Sequence, residues 1–249
     1  MKISIITSVY NNKETISESI ESVLSQTHSE IEYIIIDGAS TDGTVDIIKG
    51  YENRISKYVS EPDNGIYDGL NKGISLATGD VIGFLHSDDI YQHNNVLDMV
   101  VKVFNDHQVD SVYGDLTYVD KNDTSRVVRH WKSGDFSLKK LHRGWMPPHP
   151  TFFVKRKIYE DAGTFDTSFK VAADYDIILR FLGKYKISVH YIPEVLIKMR
   201  LGGESNKSLK NIVEKSKDVL RAMKKNGIGH AGSLFLKNIS KLRQFFIKK

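Results

Sequence analysis

At 249 residues, with 40% hydrophobic and 27% charged side chains, the chain has the composition of an ordinary globular protein. It is long enough for one α/β domain with additions. It has no cysteine, which excludes a disulfide framework, a zinc-thiolate site and a cysteine nucleophile and agrees with a reducing compartment. The formal net charge is +4, yet Lys237, Lys241, Arg243, Lys248 and Lys249 all follow the last acidic residue. The remainder is therefore close to neutral, at about −1, without the broad basic surplus of a nucleic-acid binder.

Taken in order, Ile3 to Ile6 and Tyr33 to Ile36 read as short buried strands. Between them Ile16, Ile20, Val23 and Leu24 recur at helical spacing, which makes a βαβ unit. A right-handed crossover brings both strand ends to one sheet edge, so Ser8, Tyr10 and Asp37 are expected to converge there. Asn11 or Asn12 is expected to cap the helix between them. The second strand runs into Asp37-Gly38-Ala39-Ser40-Thr41-Asp42-Gly43-Thr44, a loop of small and turn-forming residues that lets a ligand approach the backbone. The first turn, Ser8 to Asn12, lacks the Gly-x-Gly-x-x-Gly of a dinucleotide fold.

Ile55 to Ser60 reads as a third strand, followed by a turn bracketed by Pro62 and Gly65. Ile66, Leu70, Ile74 and Ala77 then form one helical stripe, with Gly79 as its left-handed cap. The apolar run from Val81 ends abruptly in Asp88 and Asp89. Oxygen ligands at a buried strand's C-terminal end suit a hard divalent cation that also grips phosphates, although Asp is equally favoured in turns for local reasons. The alternation of strands and helices up to this point predicts an α/β fold with a mainly parallel central sheet, its ligands lying outside the strands' C-terminal ends.

A helix around Val96 to Phe104 leads to a predicted hairpin, Ser111 to Val119 with Ser125 to Trp131. A Pro-, His- and Trp-bearing loop, Arg143 to Pro150, precedes a short strand at Thr151 to Val154 and a helix at Ile158 to Ala162. Asp174 stands at the start of another helix carrying Ile177, Ile178, Phe181 and Leu182. Ile187 to Ile192 is strand-like, and Lys198 to Ser205 reads as a polar loop. From Ser208 the chain is helical as far as Asn226-Gly227, with a second helix expected at Ser233 to Ile247. This divides the chain into a domain at 1–205 and an amphipathic helical extension at 206–249.

Together these residues resemble glycosyltransferase family 2, nucleotide-sugar-dependent enzymes of GT-A fold. The resemblance covers about residues 1–205. Ser4 to Asn11 is similar to the family's opening strand, and Ile34 to Thr44 to its nucleotide loop. Glu61 to Asp68 with Asn71-Lys72-Gly73, then Ala77 to Asp80, then Ser87-Asp88-Asp89, complete the ordered series. The resemblance implies a nucleotide site of Ser8, Tyr10, Asp37, Asp63, Asn71 and Asp88. Tyr10 would lie on a pyrimidine face while Asp37 accepts the uracil N3–H, which favours a UDP donor. Asp89, with Asp88 beside it, would hold Mn2+ or Mg2+ and neutralise the leaving diphosphate. His86 and Ser87 depart here from the family's usual Asp-x-Asp.

Asp174 aligns with the second residue of the family's Glu-Asp pair, the general base of inverting members, and Ala173 replaces the Glu. His149 and Arg200 fall on the acceptor or sugar side. For His149 an equal alternative is a histidine that merely orders the Pro-rich loop. The absence of Gln-x-x-Arg-Trp speaks against a processive synthase. Two rival classes are a nucleotide-sugar-binding protein without transfer and a metal-dependent nucleotidyltransferase. The first has no need of Asp174, and the second normally carries a basic, Gly-rich phosphate loop that is missing here.

Met1 to Ile6 reaches polar residues too soon for a signal peptide, and no apolar stretch can span a bilayer, so a cytoplasmic protein is expected. Phe235, Ile239, Leu242 and Phe246 form one stripe in the basic tail. That pattern suits either a helix packed on the domain or one docked on the inner face of the membrane, where surface-polysaccharide synthesis would offer a lipid-linked saccharide acceptor.

Overall fold

In β1 (Ile3–Val9) and β2 (Ile31–Asp37) nearly every residue is buried. Because successive strand side chains point to opposite faces, such continuous burial needs helices on both sides of the sheet. The packing divides accordingly. Ile3, Ile5, Tyr33 and Ile35 meet one apolar cluster, and Ile6, Ile34 and Ile36 the other.

The computed structural model describes residues 1–202 and 209–243, with side chains for 1–202 and 214–237. After β1 come α1 (Ile16–Leu24), β2, α2 (Thr44–Lys49), β3 (Lys57–Ser60), α3 (Ile66–Leu76), β4 (Val81–Phe84) and the short β5 (Ile90–Tyr91). They are followed by α4 (Val96–His107), β6 (Ser111–Val119), β7 (Val127–Trp131) and α5 (Leu138–His142). A 3-10 turn, His149–Thr151, then leads into β8 (Phe153–Lys155), α6 (Arg156–Ala162) and α7 (Ala173–Ile178). A wide-turn stretch, Leu179–Lys184, prolongs α7 before β9 (Val189–Arg200), α8 (Leu209–Asn226) and α9 (Ala231–Arg243).

The sheet order is β3-β2-β1-β4-β8-β6-β9-β5, with β7 paired to β6. The β3-β2-β1-β4 half is parallel, and antiparallel pairs enter with β8, so the sheet is mixed and its parallel half carries the strand ends of interest. Val9 lies opposite Asp37, and Ile6 opposite Phe84, which sets the ends of β2, β1 and β4 side by side.

The expected α/β architecture and the hairpin are present. β9 is longer than the predicted strand: it runs on to Arg200, through two register shifts against β6, and then pairs with β5. Pro193 and Glu194 break its apolar pattern, which is why its second half reads as a loop. Gly79 is not a left-handed cap, since α3 ends in extended backbone at Ala77. A Cβ on Gly79 would lie 2.7 Å from the Ser4 backbone nitrogen, so close packing requires the glycine. The asparagines do not cap α1 either. Asn11 Oδ1 accepts from Thr41 N–H (2.8 Å) and Asn12 Nδ2 donates to Ser87 Oγ (2.8 Å), stitching the first loop to two others.

Helix α8 is part of the domain's core, because Val219, Ala222 and Met223 are buried in the same cluster as α7. The division expected near residue 205 falls outside the described residues, as do the side chains of Ile239, Leu242 and Phe246.

Candidate functional site

Asp37 ends β2 and is fully buried. Its Oδ2 accepts from Ser40 N–H (3.1 Å) and Ser60 O–H (2.6 Å), whereas Oδ1 is buried without a partner. Leaving a buried carboxylate oxygen unmatched is costly, and a ligand N–H would remove that cost. The loop just beyond is held in an unfavourable shape: Ala39 has φ +61°, a left-handed conformation rare for a residue with a Cβ. Ser8 is buried at the neighbouring strand end, and Tyr10 beyond it is 64% exposed, leaving its ring free to cover a base. Asp63 packs over the loop so closely that a Cβ on Gly38 would come within 2.8 Å of its Oδ2.

At the end of β4 the two aspartates separate. Asp88 is half-buried, and its carboxylate makes no hydrogen bond or ion pair among the described residues. Asp89 is fully buried, with Oδ1 accepting from Arg200 N–H at 3.3 Å and Oδ2 unpartnered. Burial pushes the Asp89 carboxyl well above the usual range, the charge of Asp88 adds to this, and Arg200 opposes it. Of the two carboxylates expected to hold a metal, Asp89 thus has one buried oxygen without a partner and Asp88 is partly exposed.

Arg200, expected on the acceptor or sugar side, is almost wholly buried beside the same turn. Its Nη1 donates to the Asp88 carbonyl (2.7 Å) and its other arm pairs with Glu18 of α1, bracing the Asp-Asp turn from behind. Asn71 is committed in part. Its amide donates to Phe165 O (2.9 Å) and accepts from Phe165 N–H (2.9 Å), so it holds a loop and keeps one N–H and one lone pair for another partner.

Asp174, in the first turn of α7, is half-buried, with Oδ1 accepting from Tyr175 N–H (2.8 Å) and from Tyr67 O–H (3.4 Å). The Tyr67 hydroxyl also donates to Val171 O at 2.8 Å, which ties α3 to the loop carrying the carboxylate. Burial and the charge of Asp174 push the Tyr67 phenol well up, so it stays a donor. His86 feels the charges of both Asp88 and Asp174, placing all three in one neighbourhood. Burial lowers its pKa more than those charges raise it, and its Nδ1 is buried without a partner. His149 is stacked on Phe84 (centroids 5.2 Å) with Phe165 edge-on (5.4 Å). Burial lowers its pKa to about 4, so it is neutral at pH 7 and supports the floor of the cleft.

Helix α8 also enters the site, which the sequence reading missed. Asp218 accepts from Lys170 and Val171 N–H (3.0 and 3.2 Å), Lys225 pairs with Asp166 (2.8 Å), and Arg221 covers Phe169 at 3.8 Å. The loop leading to Asp174 is thus clamped by the helix after β9. The cationic face of α8 was the available signal, but nothing in the chain shows which loop it meets.

No cluster of three His, Asp or Glu able to hold a metal occurs among the described residues. What is present is a half-buried carboxylate, Asp88, beside the neutral His86 ring. Such a pair suits a borderline divalent cation that takes its remaining ligands from a diphosphate.

An acceptor carboxylate at the end of β2, an acidic turn at the end of β4 and a third carboxylate across the cleft, on a mixed sheet wrapped by helices, define a GT-A-type fold. The structure is similar to residues 1–349 of S. aureus TarS in complex with UDP-GlcNAc, with TM-score 0.72 and 19% identity over 91% of this chain and 65% of that one. It also resembles the mannosyltransferase PcManGT from Pyrobaculum calidifontis in complex with GDP-Man and Mn2+, with TM-score 0.65 and 17% identity over 90% of this chain and 63% of that one. Residues 4–172 match the Glycosyl transferase family 2 model, and the chain belongs to that family. An uncharacterized glycosyltransferase of Mycobacterium tuberculosis is 33% identical over 183 residues, 72% of this chain and 68% of its own length. A PGL/p-HBAD biosynthesis glycosyltransferase of Mycobacterium bovis is 28% identical over 208 residues, 82% of this chain and 78% of its own.

Proposed function

We propose that the protein transfers a sugar from a UDP-linked donor, with inversion and with the help of a divalent cation, to a hydroxyl of a saccharide or lipid-linked saccharide. One observation carries the donor assignment: the buried, unpartnered Oδ1 of Asp37 at the strand end beside Tyr10. Uracil offers N3–H to such an acceptor, whereas cytosine offers an acceptor there. The complexes with UDP-GlcNAc and with GDP-Man among similar folds show that the fold alone does not select the base.

In this reading Asp88, with the His86 ring beside it, would hold Mn2+ or Mg2+, and the bound ion would supply positive charge to the departing diphosphate. Asp63 closes over the nucleotide loop. Asp174 takes the proton of the acceptor hydroxyl as its oxygen attacks the anomeric carbon from the side opposite the nucleotide. Tyr67 donates to Oδ1 of Asp174 and orients the carboxylate for that step. The Phe84–His149–Phe165 stack keeps the floor apolar, which strengthens the electrostatic terms. A lipid-linked acceptor would place the protein at the cytoplasmic face of a membrane.

Calorimetry with UDP and with GDP, each with and without Mn2+, tests the donor site. Tighter binding of UDP that depends on the metal is expected. Equal or tighter binding of GDP would overturn it. Hydrolysis of a panel of nucleotide sugars by the purified protein then identifies the sugar.

A further inference from the structure

An amphipathic helix at the end of a domain ordinarily turns its apolar stripe inward. Helix α9 departs from this at Phe235 and Leu236. Its inward contacts come from Ser233, whose hydroxyl donates to His142 O (2.6 Å), from the half-buried Leu234, and from Lys237, whose ammonium sits 3.9 Å from the centroid of the Tyr175 ring. At about 100° per residue, Phe235 and Leu236 fall on the side away from that arc, and they are 67% and 46% exposed.

The ground beside this helix is basic. Helix α5, which Ser233 grips, carries the exposed Lys139 and Lys140, with exposed Leu138 before them and exposed Arg143 just after the helix. Gly183 packs against Leu141 of α5 and Ile228 ahead of α9, and the chain leaves it through the exposed Lys184, Tyr185 and Lys186. Beyond Asp218 the sequence has no acidic residue.

We propose that the outer face of α9, with α5 and residues 184–186 at its flank, docks the protein on an anionic lipid bilayer. Exposed aromatic and aliphatic side chains set among cations match the boundary between acyl chains and headgroups, where each cation adds to binding. No helix among the described residues is long and apolar enough to cross a membrane, so the contact is interfacial. The surface rests on the sugar-transfer reading only in that a lipid-linked acceptor would be reached from it.

The test is sedimentation of the full chain with vesicles of phosphatidylcholine alone and of phosphatidylcholine mixed with phosphatidylglycerol, at low and high salt. UDP calorimetry and sizing by light scattering are run on the same samples. The wild type is expected to pellet with the anionic vesicles, and less so at high salt. The double variant Phe235→Ser/Leu236→Ser should bind them at least about tenfold more weakly, as loss of one inserted Phe implies. Lys139→Glu/Lys140→Glu should weaken anionic binding while leaving phosphatidylcholine unaffected. Wild-type pelleting that is absent, indifferent to lipid charge or unchanged in the Phe235/Leu236 variant would overturn the proposal. So would a wild-type dimer that this variant dissolves without any lipid binding, which would make the face an interface between copies. Lost lipid binding with intact UDP binding counts against docking alone, and the converse counts against the donor reading alone.

Discussion

Asp37→Asn should exchange the base preference of the site, because the surrounding hydrogen bonds dictate how the amide must sit. Ser40 N–H and Ser60 O–H both donate to the Asp37 Oδ2 position, and only the carbonyl oxygen of an asparagine can accept both. The amide nitrogen is then forced into the Oδ1 position, which is buried and unpartnered in the native protein. Uracil N3–H would meet a donor there. It would lose a charge-assisted hydrogen bond of about 1.5–3 kcal/mol, which is roughly 10- to 150-fold in affinity, with the donor–donor clash added to it. Cytosine N3 would meet its complement. Calorimetry of UDP and CDP with Mn2+ on wild type and variant is therefore expected to show UDP weakened by at least about tenfold and CDP strengthened. A variant that binds UDP within about threefold of wild type, or gains nothing for CDP, would refute the base-reading role of Asp37.

Asp174→Asn should cut turnover by at least about 100-fold while leaving UDP affinity nearly unchanged, since the base acts on the acceptor; retention of more than a tenth of the rate would end that assignment. Tyr67→Phe should lower kcat less than Asp174→Asn while leaving UDP affinity unchanged, because the carboxylate loses the hydroxyl that orients it; an unaltered kcat would show that Tyr67 only packs. Asp88→Ala should abolish the Mn2+ dependence of UDP binding with little change in melting temperature. Asp89→Ala should instead lower stability, as it removes a fully buried side chain joined to Arg200; the reverse pattern would restore Asp89 as the ligand. His149 is held down to about 4 by burial, against about 6.5 when unfolded. Its neutral form thus contributes stability that is complete above pH 6.5 and is lost as pH falls towards 4, about 3 kcal/mol in all. Urea unfolding at pH 7 and pH 4 should show a smaller acid loss in His149→Phe than in wild type, and equal losses would sink the argument.

The parts of the molecule legible in the sequence are those in which one segment suffices. β1, β2 and the Asp37 loop follow from a buried run and a cluster of turn formers. The hairpin of β6 and β7 follows from two strand-like runs joined by the Lys121-Asn122-Asp123 turn. What could not be read depends on partners remote in the chain. Asp88 and Asp89 are identical in type and adjacent, and a strand's alternation does not apply past Phe84, where β4 ends. That one is partly exposed and the other buried goes with the hydrogen bonds of Arg200, more than a hundred residues later. That arginine read as loop because Pro193 and Glu194 obscure the strand carrying it. The same holds for Asp174, whose loop is held by Tyr67 on one side and by Asp218 on the other.

Burial explains why such residues escape a linear reading. A side chain that positions a catalytic group through a single hydrogen bond leaves no periodicity behind, and Asn71 shows the converse. It stands in a family motif within the nucleotide half of the chain, yet both its amide groups bond to the backbone of Phe165. Phe165 in turn packs on Tyr67, with ring centroids 5.6 Å apart. Asn71 therefore also holds the loop on which Tyr67 packs, although it lies in sequence beside the residues expected to face the nucleotide.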